Sequence, residues 1–359
     1  MKQSLYDRFR AVRRPAQKVD PEKIPCIETS DRVQLCKAPL VSVVMVTYNH
    51  ADYIRQAIES VMMQKTDFEF ELIVGEDCSQ DETREICFEY QRRFPGRIRV
   101  LWWHENVSKL GGNYNRCFCR CRGTYLAVLE GDDYWTDPFK LQKQVDLMRR
   151  TDSVMCVAKT RWLYPDGRSD VPELPQKDFL DWRDFYRFYF HTSTYMYLQS
   201  ANEEKFRRYP SIACWYDTMD VHCLSSLGKV CFLNETVSVY RLTGKGAATS
   251  QSDDERALWT LAQLYDLALH GPVESRRHFA AHILRNIDGR FSERKSCLPD
   301  DVLLSGWMDF VRVHILMTRH DNDLLNVGIA YQLRYFALVA WFVIRLILVR
   351  IHLAGFILK

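Results

Sequence analysis

The sequence contains neither GxxxxGK[ST] nor GxGxxG, which removes P-loop nucleotidases and ordinary dinucleotide-binding domains from consideration. It has no surplus of either charge: 49 basic and 46 acidic residues leave a net +3, so there is no electrostatic footprint for nucleic acid. Twelve cysteines are present. No second Cys/His cluster stands at zinc-site spacing from the tight group Cys117, Cys119 and Cys121, so buried or half-buried thiols are expected there. No stretch near the amino terminus has the form of a secretory signal, and a reducing, cytosolic location is the expectation. What the chain does have is length and apolar content, 359 residues at 47% hydrophobic, enough for one large core with appendages or for two domains.

Residues 1–38 read as a basic, proline-containing leader without apolar periodicity. Order begins at "PLVSVVMVTYNH", where the β-branched run from Leu40 to Thr47 suggests a central strand buried on both faces. "ADYIRQAIESVMMQ" follows with apolar residues at helical spacing. "FELIVGED" reads as a second strand and "CSQDETREICFEYQRRF" as a helix, with Ser79 and Glu82 spaced as a capping box. "IRVLWW" and "TYLAVL" supply two more strands. This alternation predicts an α/β layer architecture with a mainly parallel sheet.

Polar residues gather where those strands end: Thr47, Tyr48 and Asn49; Glu76 and Asp77; His104 and Asn106; Glu130 to Asp133. Carboxyl ends of strands in open α/β sheets form the ligand crevice, so four separate segments are expected to converge on one site. The stretch "LEGDDYWTDP" is the most acidic of them. An oxygen-only donor set of this kind suits Mg2+ or Mn2+, held by few carboxylates together with substrate phosphates.

"PLVSVVMVTYNHADYIRQAIESVMMQ", "FELIVGEDCSQDET", "NYNRCFCRCRGTYLAVLEGDDYWTDPFKLQKQV" and "VYRLTGKGAATS" resemble the family 2 glycosyltransferases, inverting enzymes of the GT-A fold that use nucleotide-diphosphate sugars. The resemblance is strong over residues 39–150 and fair from about 190 to 250. It implies a GT-A nucleotide-binding sandwich over 39–252, in which Thr47, Tyr48, Asn49, Glu76 and Asp77 hold base and ribose. It places the family's Asp-x-Asp on Glu130, Gly131 and Asp132, with Asp132 as metal ligand and Glu130, a longer side chain than the usual aspartate, reaching ribose or metal.

After Pro210, Asp217 precedes an apolar helical run that ends at Gly228 and Lys229. An acid there is also expected as a helix N-cap; the resemblance implies the catalytic base, with Asp220 one turn later as its rival. Arg241 and Lys245 in "YRLTGKG" correspond to the family's lid over the diphosphate, and Thr243 stands where many relatives carry histidine. "HTSTYMY" alternates like a strand and presents either an aromatic wall to an acceptor or a core strand; His191, Asp133 and Asp220 fall on the acceptor side.

Residues 253–333 read as a helical extension. In 334–359 the apolar run is broken by Arg345 and Arg350, and no acid occurs from residue 324 onward. That pattern suits a helix lying on an anionic membrane surface, with a buried helix and a true span as alternatives. The expected enzyme is a peripheral protein on the inner face of the cell membrane. It transfers sugar from a nucleotide-diphosphate sugar to a saccharide or lipid-linked saccharide. A nucleotidyltransferase and a non-catalytic glycan-binding protein of the same fold are the rival readings.

Overall fold

The computed structural model describes residues 24–107, 112–209 and 217–243, with residues 267, 271–275 and 279. All belong to the first of two compact units, residues 1–297 and 298–359. Lys245, nearly all of the expected helical extension and the whole of 334–359 lie outside the described residues, as do residues 1–23.

The strands are β1 (Ile27–Thr29), β2 (Val41–Thr47), β3 (Phe70–Glu76), β4 (Ile98–Trp102), β5 (Tyr125–Glu130), β6 (Tyr134–Trp135), β7 (Ser153–Leu163), β8 (Ser169–Asp170), β9 (Phe179–Leu180), β10 (Met196–Leu198) and β11 (Lys229–Arg241). The helices are α1 (Ile54–Met62), α2 (Thr83–Arg93), α3 (Gly112–Phe118), α4 (Lys140–Thr151), α5 (Trp182–Arg187), α6 (Gln199–Arg208) and α7 (Asp217–Ser225). One sheet runs β1-β4-β3-β2-β5-β10-β7-β11-β6, with β8 beside β7 and β9 beside β11. Its long pairings, β4-β3-β2-β5 and β7-β11, are parallel, and the short ones are antiparallel.

Side chains alternate across the sheet as the strand period requires. Val41, Val43 and Met45 face a core closed by Ile54, Ala57, Ile58 and Val61 of α1, Ile86 and Tyr90 of α2, and Leu141, Val145 and Met148 of α4. Val44, Ile73, Leu126 and Val128 face the other core, closed by Cys117 of α3, Phe185 of α5, and Val221 and Leu224 of α7. Each such buried aliphatic contributes roughly 1.5–3 kcal/mol, so both faces of β2 are committed to packing and only its end is available for chemistry.

Three local expectations change. Ser79 does not cap α2: its amide donates to Glu76 Oε1 at 2.6 Å, and the Asp81 carboxylate instead accepts the Thr83 amide at 3.0 Å. "HTSTYMY" is not one strand, because Thr192–Thr194 form a 3-10 turn that His191 caps by accepting the Ser193 amide. Residues 27–29, placed by sequence in the leader, form the edge strand β1. It is pinned by Glu28, which accepts both Nε and Nη2 of Arg99 at 2.9 Å. Arg99 and Arg122 also converge on the fully buried Glu71, which keeps that carboxylate paired. Along β7, β11 carries irregularities between Leu233 and Thr236 and between Thr236 and Ser238.

Candidate functional site

Strand order reverses at β2: β3 and β4 lie to one side, β5 to the other. Such a switch point leaves a crevice outside the carboxyl ends of the two diverging strands. Here those ends are Thr47 and Glu130, with Val46 paired to Glu130. The turn after β5 folds directly against β2, the Gly131 amide donating to Val46 O at 2.9 Å.

Glu130 is fixed by two residues that the sequence did not single out. Tyr114 from α3 and Thr192 from the 3-10 turn each donate a hydroxyl to its Oε1 at 2.6 Å. Its Oε2 is buried and meets no donor among the described residues; Thr47 Oγ1 and His50 Nδ1 are in the same position. Buried polar atoms are rarely left this way, and three of them around one turn make a lining suited to a polar ligand.

Asp132 lies at the rim, its side chain 15% exposed, with His50 Nε2 3.8 Å away. Burial raises its pKa; His50 opposes the shift and Glu130 adds to it. Asp133 points inward. Its Oδ1 accepts the Arg241 amide at 2.8 Å, and its Oδ2 stands 3.6 Å from His191 Nδ1. Burial first, then the charges of Asp132 and Glu130, push its pKa well above the carboxylate range. His191 is itself buried and drawn down to about 4. Glu130, Asp133 and His191 each offer one ligand atom within 4.8 Å of the others. Within this trio Asp133 Oδ1 is taken up by the Arg241 amide and His191 Nδ1 by Ser193, while Glu130 Oε2 has no partner among the described residues.

Arg241, expected from sequence in the lid, lies at the rim beside Asp132. Its guanidinium donates to Asp132 O and to Gln56 Oε1 and lies 4.4 Å from the Tyr134 ring centroid and 5.2 Å from that of Tyr53. His50, Tyr53 and Gln56 were missed in the sequence. Tyr53 and Gln56 sit three apart at the start of α1, a spacing that marks one helix face but not what it meets.

The second strand end is less open than its acids suggest. Glu76 is fully buried; Oε1 holds the Ser79 amide and Oε2 the Arg84 guanidinium, both at 2.6 Å. Both of its oxygens are therefore engaged within the loop. Asp77 ties the Val107 amide at 2.8 Å, and its own amide donates to Thr47 O at 3.1 Å. Tyr48 is exposed at the crevice mouth, and Asn49, at φ 54°, turns the chain there while its Oδ1 accepts the Gln80 amide.

On the other face, Asp217 opens α7. Asp220 is paired with the buried Lys205 Nζ of α6 at 2.7 Å, an interhelical tie that occupies one of its oxygens. Tyr195 and Tyr197, for which an acceptor wall and a core position were both open, are buried in the second core.

Residues 42–206 match the model of the family described as Glycosyl transferase family 2. An uncharacterized protein of Mycobacterium tuberculosis is 31% identical over 301 residues, 78% of this chain and 83% of its own. The chain belongs to glycosyl transferase family 2. An uncharacterized glycosyltransferase of Nostoc sp. is 27% identical over 233 residues, 60% of this chain and 70% of its own. Among solved structures, S. aureus TarS in complex with UDP-GlcNAc shares the fold at a TM-score of 0.52 and 18% identity, over 81% of this chain and 77% of that one. The protein is thus a glycosyltransferase of mixed α/β architecture. No helix among its described residues is long and apolar enough to cross a membrane.

Proposed function

We propose that this glycosyltransferase moves a sugar, with inversion, from a nucleotide-diphosphate sugar to a hydroxyl of a saccharide or lipid-linked saccharide in surface glycan synthesis. The observation that carries the reading is the β2–β5 switch point, where Glu130 Oε2 and Thr47 Oγ1 are buried without partners beside the rim carboxylate of Asp132. The donor's base and ribose lie along Thr47, Tyr48, Asn49 and Asp77, and its diphosphate toward Asp132 and Arg241.

The donor set fits a divalent ion, Mg2+ or Mn2+: all-oxygen, close to the rim, with Asp132 as the ligand and Glu130 behind it. When bound, such an ion neutralises diphosphate charge and stabilises the departing nucleotide. The rest falls to the chain. Tyr114 and Thr192 hold Glu130 in one orientation, Arg241 adds a fixed positive charge, and Asp217 takes the acceptor proton as the hydroxyl attacks the anomeric carbon. One carboxylate suffices as base, because the nucleotide diphosphate leaves without protonation.

Incubation with a panel of nucleotide sugars, with Mn2+, Mg2+ or chelator, tests this by nucleotide-diphosphate release and by the anomeric configuration of the product. Release from one donor, lost on chelation, with an inverted product is the expected result. No release from any donor overturns the reading, and a retained configuration overturns the mechanism.

A further inference from the structure

Tyr240 and Arg241 are consecutive in β11 and so face opposite ways. Arg241 reaches Asp132, while the Tyr240 ring stacks on His191 with centroids 3.9 Å apart and planes at 24°. Across the sheet Tyr240 is in register with Trp162 of β7, whose indole meets it edge-on at 6.1 Å and 89°. Tyr189 closes the group, 6.0 Å from Trp162 at 80° and 6.1 Å from His191. The rings therefore make a right-angled corner rather than a flat stack, and one end of it reaches Asp133, 3.6 Å from His191.

The corner shares an edge with the donor crevice. β10 runs antiparallel to both β5 and β7, and β11 is parallel to β7, so β7 and β11 point the same way as β2 and β5. Trp162 and Tyr240 consequently lie at carboxyl ends, as Thr47 and Glu130 do. Tyr189 is 43% exposed, unlike the phenylalanines of the second core behind it. Trp162 Nε1 is buried and has no acceptor among the described residues, which a buried indole N–H ordinarily finds.

An occupant of this corner needs an apolar face for the rings and a hydroxyl for the indole N–H. A pyranose has both: its axial C–H bonds form one face and its hydroxyls the edge. A hydrocarbon chain would leave the indole unanswered. We infer that Trp162, Tyr189 and Tyr240 form an acceptor subsite that takes one pyranose ring, bringing its hydroxyl toward the acid cluster from the side opposite the donor. The inference rests on the donor reading above, and its test is chosen to fail separately.

Methyl α- and β-glycosides of glucose, galactose, mannose and N-acetylglucosamine serve as probes, with saturation-transfer NMR from the protein's aromatic resonances as the readout. At least one glycoside is expected to be saturated on its C–H face by the wild-type protein. Tyr189→Ala, at an exposed position, and Trp162→Ala should each weaken that glycoside about tenfold. Trp162→Phe should keep the saturation and weaken binding less. UDP or GDP binding in the presence of Mn2+ should shift less than twofold in Tyr189→Ala. Absence of saturation for every glycoside, or saturation unchanged in both alanine variants, overturns the subsite. The glycoside arm needs no donor, so failure of both nucleotides to bind the wild-type protein counts against the donor crevice alone.

Discussion

Gly131 lies so close to Thr47 that a Cβ on it would stand 2.6 Å from the threonine Oγ1 and 2.7 Å from its Cβ. The turn that carries the acids is pressed onto the end of β2, and only a residue without a side chain permits it. Gly131→Ala should cost about 1–3 kcal/mol of stability, the usual scale of overpacking, and weaken nucleotide binding by displacing Glu130 and Asp132 together. Thermal unfolding and titration with UDP or GDP plus Mn2+ read the two effects; a variant unaltered in both would show that the turn has room to move.

Asp132→Asn keeps size and removes the rim charge. Transfer should be nearly abolished and metal-dependent nucleotide binding weakened, while the fold holds, because no hydrogen bond from another described side chain ends on this carboxylate. Mn2+ titration followed by electron paramagnetic resonance reads ion binding independently of turnover. Wild-type turnover with unchanged metal dependence would remove Asp132 from the site.

Asp217→Asn should leave donor binding near normal and cut turnover by roughly 10²-fold or more, the scale of a lost general base. Asp220→Asn should act differently. Its carboxylate ties α7 to Lys205 of α6, so the change should cost stability, about 1–2 kcal/mol for a half-buried charge-assisted bond. A collapse of turnover in Asp220→Asn at unchanged stability would transfer the base role to Asp220.

Lys140 is wholly buried, with Nζ donating to Gln144 Oε1 at 2.7 Å and lying 4.1 Å from the Trp135 ring centroid. Burial lowers its pKa to about 7, with Cys156 and Asp137 pulling the other way. Unfolded lysine titrates near 10.4, so between these values the unfolded chain binds the extra proton and stability rises with pH. Lys140→Met should therefore stabilise the protein most near pH 7, and its advantage should shrink by about 1.4 kcal/mol per pH unit toward pH 10. Urea unfolding of both proteins at pH 7, 8.5 and 10 measures the difference; a constant difference would mean that folding leaves the Lys140 pKa where it was.

Residues 334–359 are expected to bind anionic membrane without spanning it, given their interrupting arginines and wide apolar surface. Liposome flotation of the full chain against a truncation ending at Asn326 checks this. Binding should need anionic lipid, fall with salt and vanish on truncation; indifference of the full chain to such liposomes would favour a buried helix.

The half of the site on β2 and β5 was legible because its logic is local. A β-branched run followed by Thr47, and an apolar run followed by Glu130, announce buried strands with polar ends, and the family correspondence did the rest. What fixes those ends was not legible. Tyr114 and Thr192 reach Glu130 from positions 16 and 62 residues away, and nothing in the periodicity of either segment records that meeting. The same limit left two readings open for the tyrosines: His191 caps a 3-10 turn, and Tyr195 and Tyr197 after it lie in the core. The proposed ring corner is drawn from Trp162, Tyr189 and Tyr240, which lie in three different segments. Ser79 failed as a cap for an equally physical reason, since its Oγ accepts the Asn49 amide and its own amide goes to the buried Glu76.

The irregular pairing of β11 with β7 between Leu233 and Ser238 sets the phase in which the strand arrives at its last two residues. Because side chains alternate, losing or gaining one residue in that stretch would exchange the directions of Tyr240 and Arg241. The ring would then turn toward Asp132 and the guanidinium toward His191. The ring and the guanidinium are thus tied to one strand phase, so a length change upstream of Tyr240 cannot alter one without moving the other.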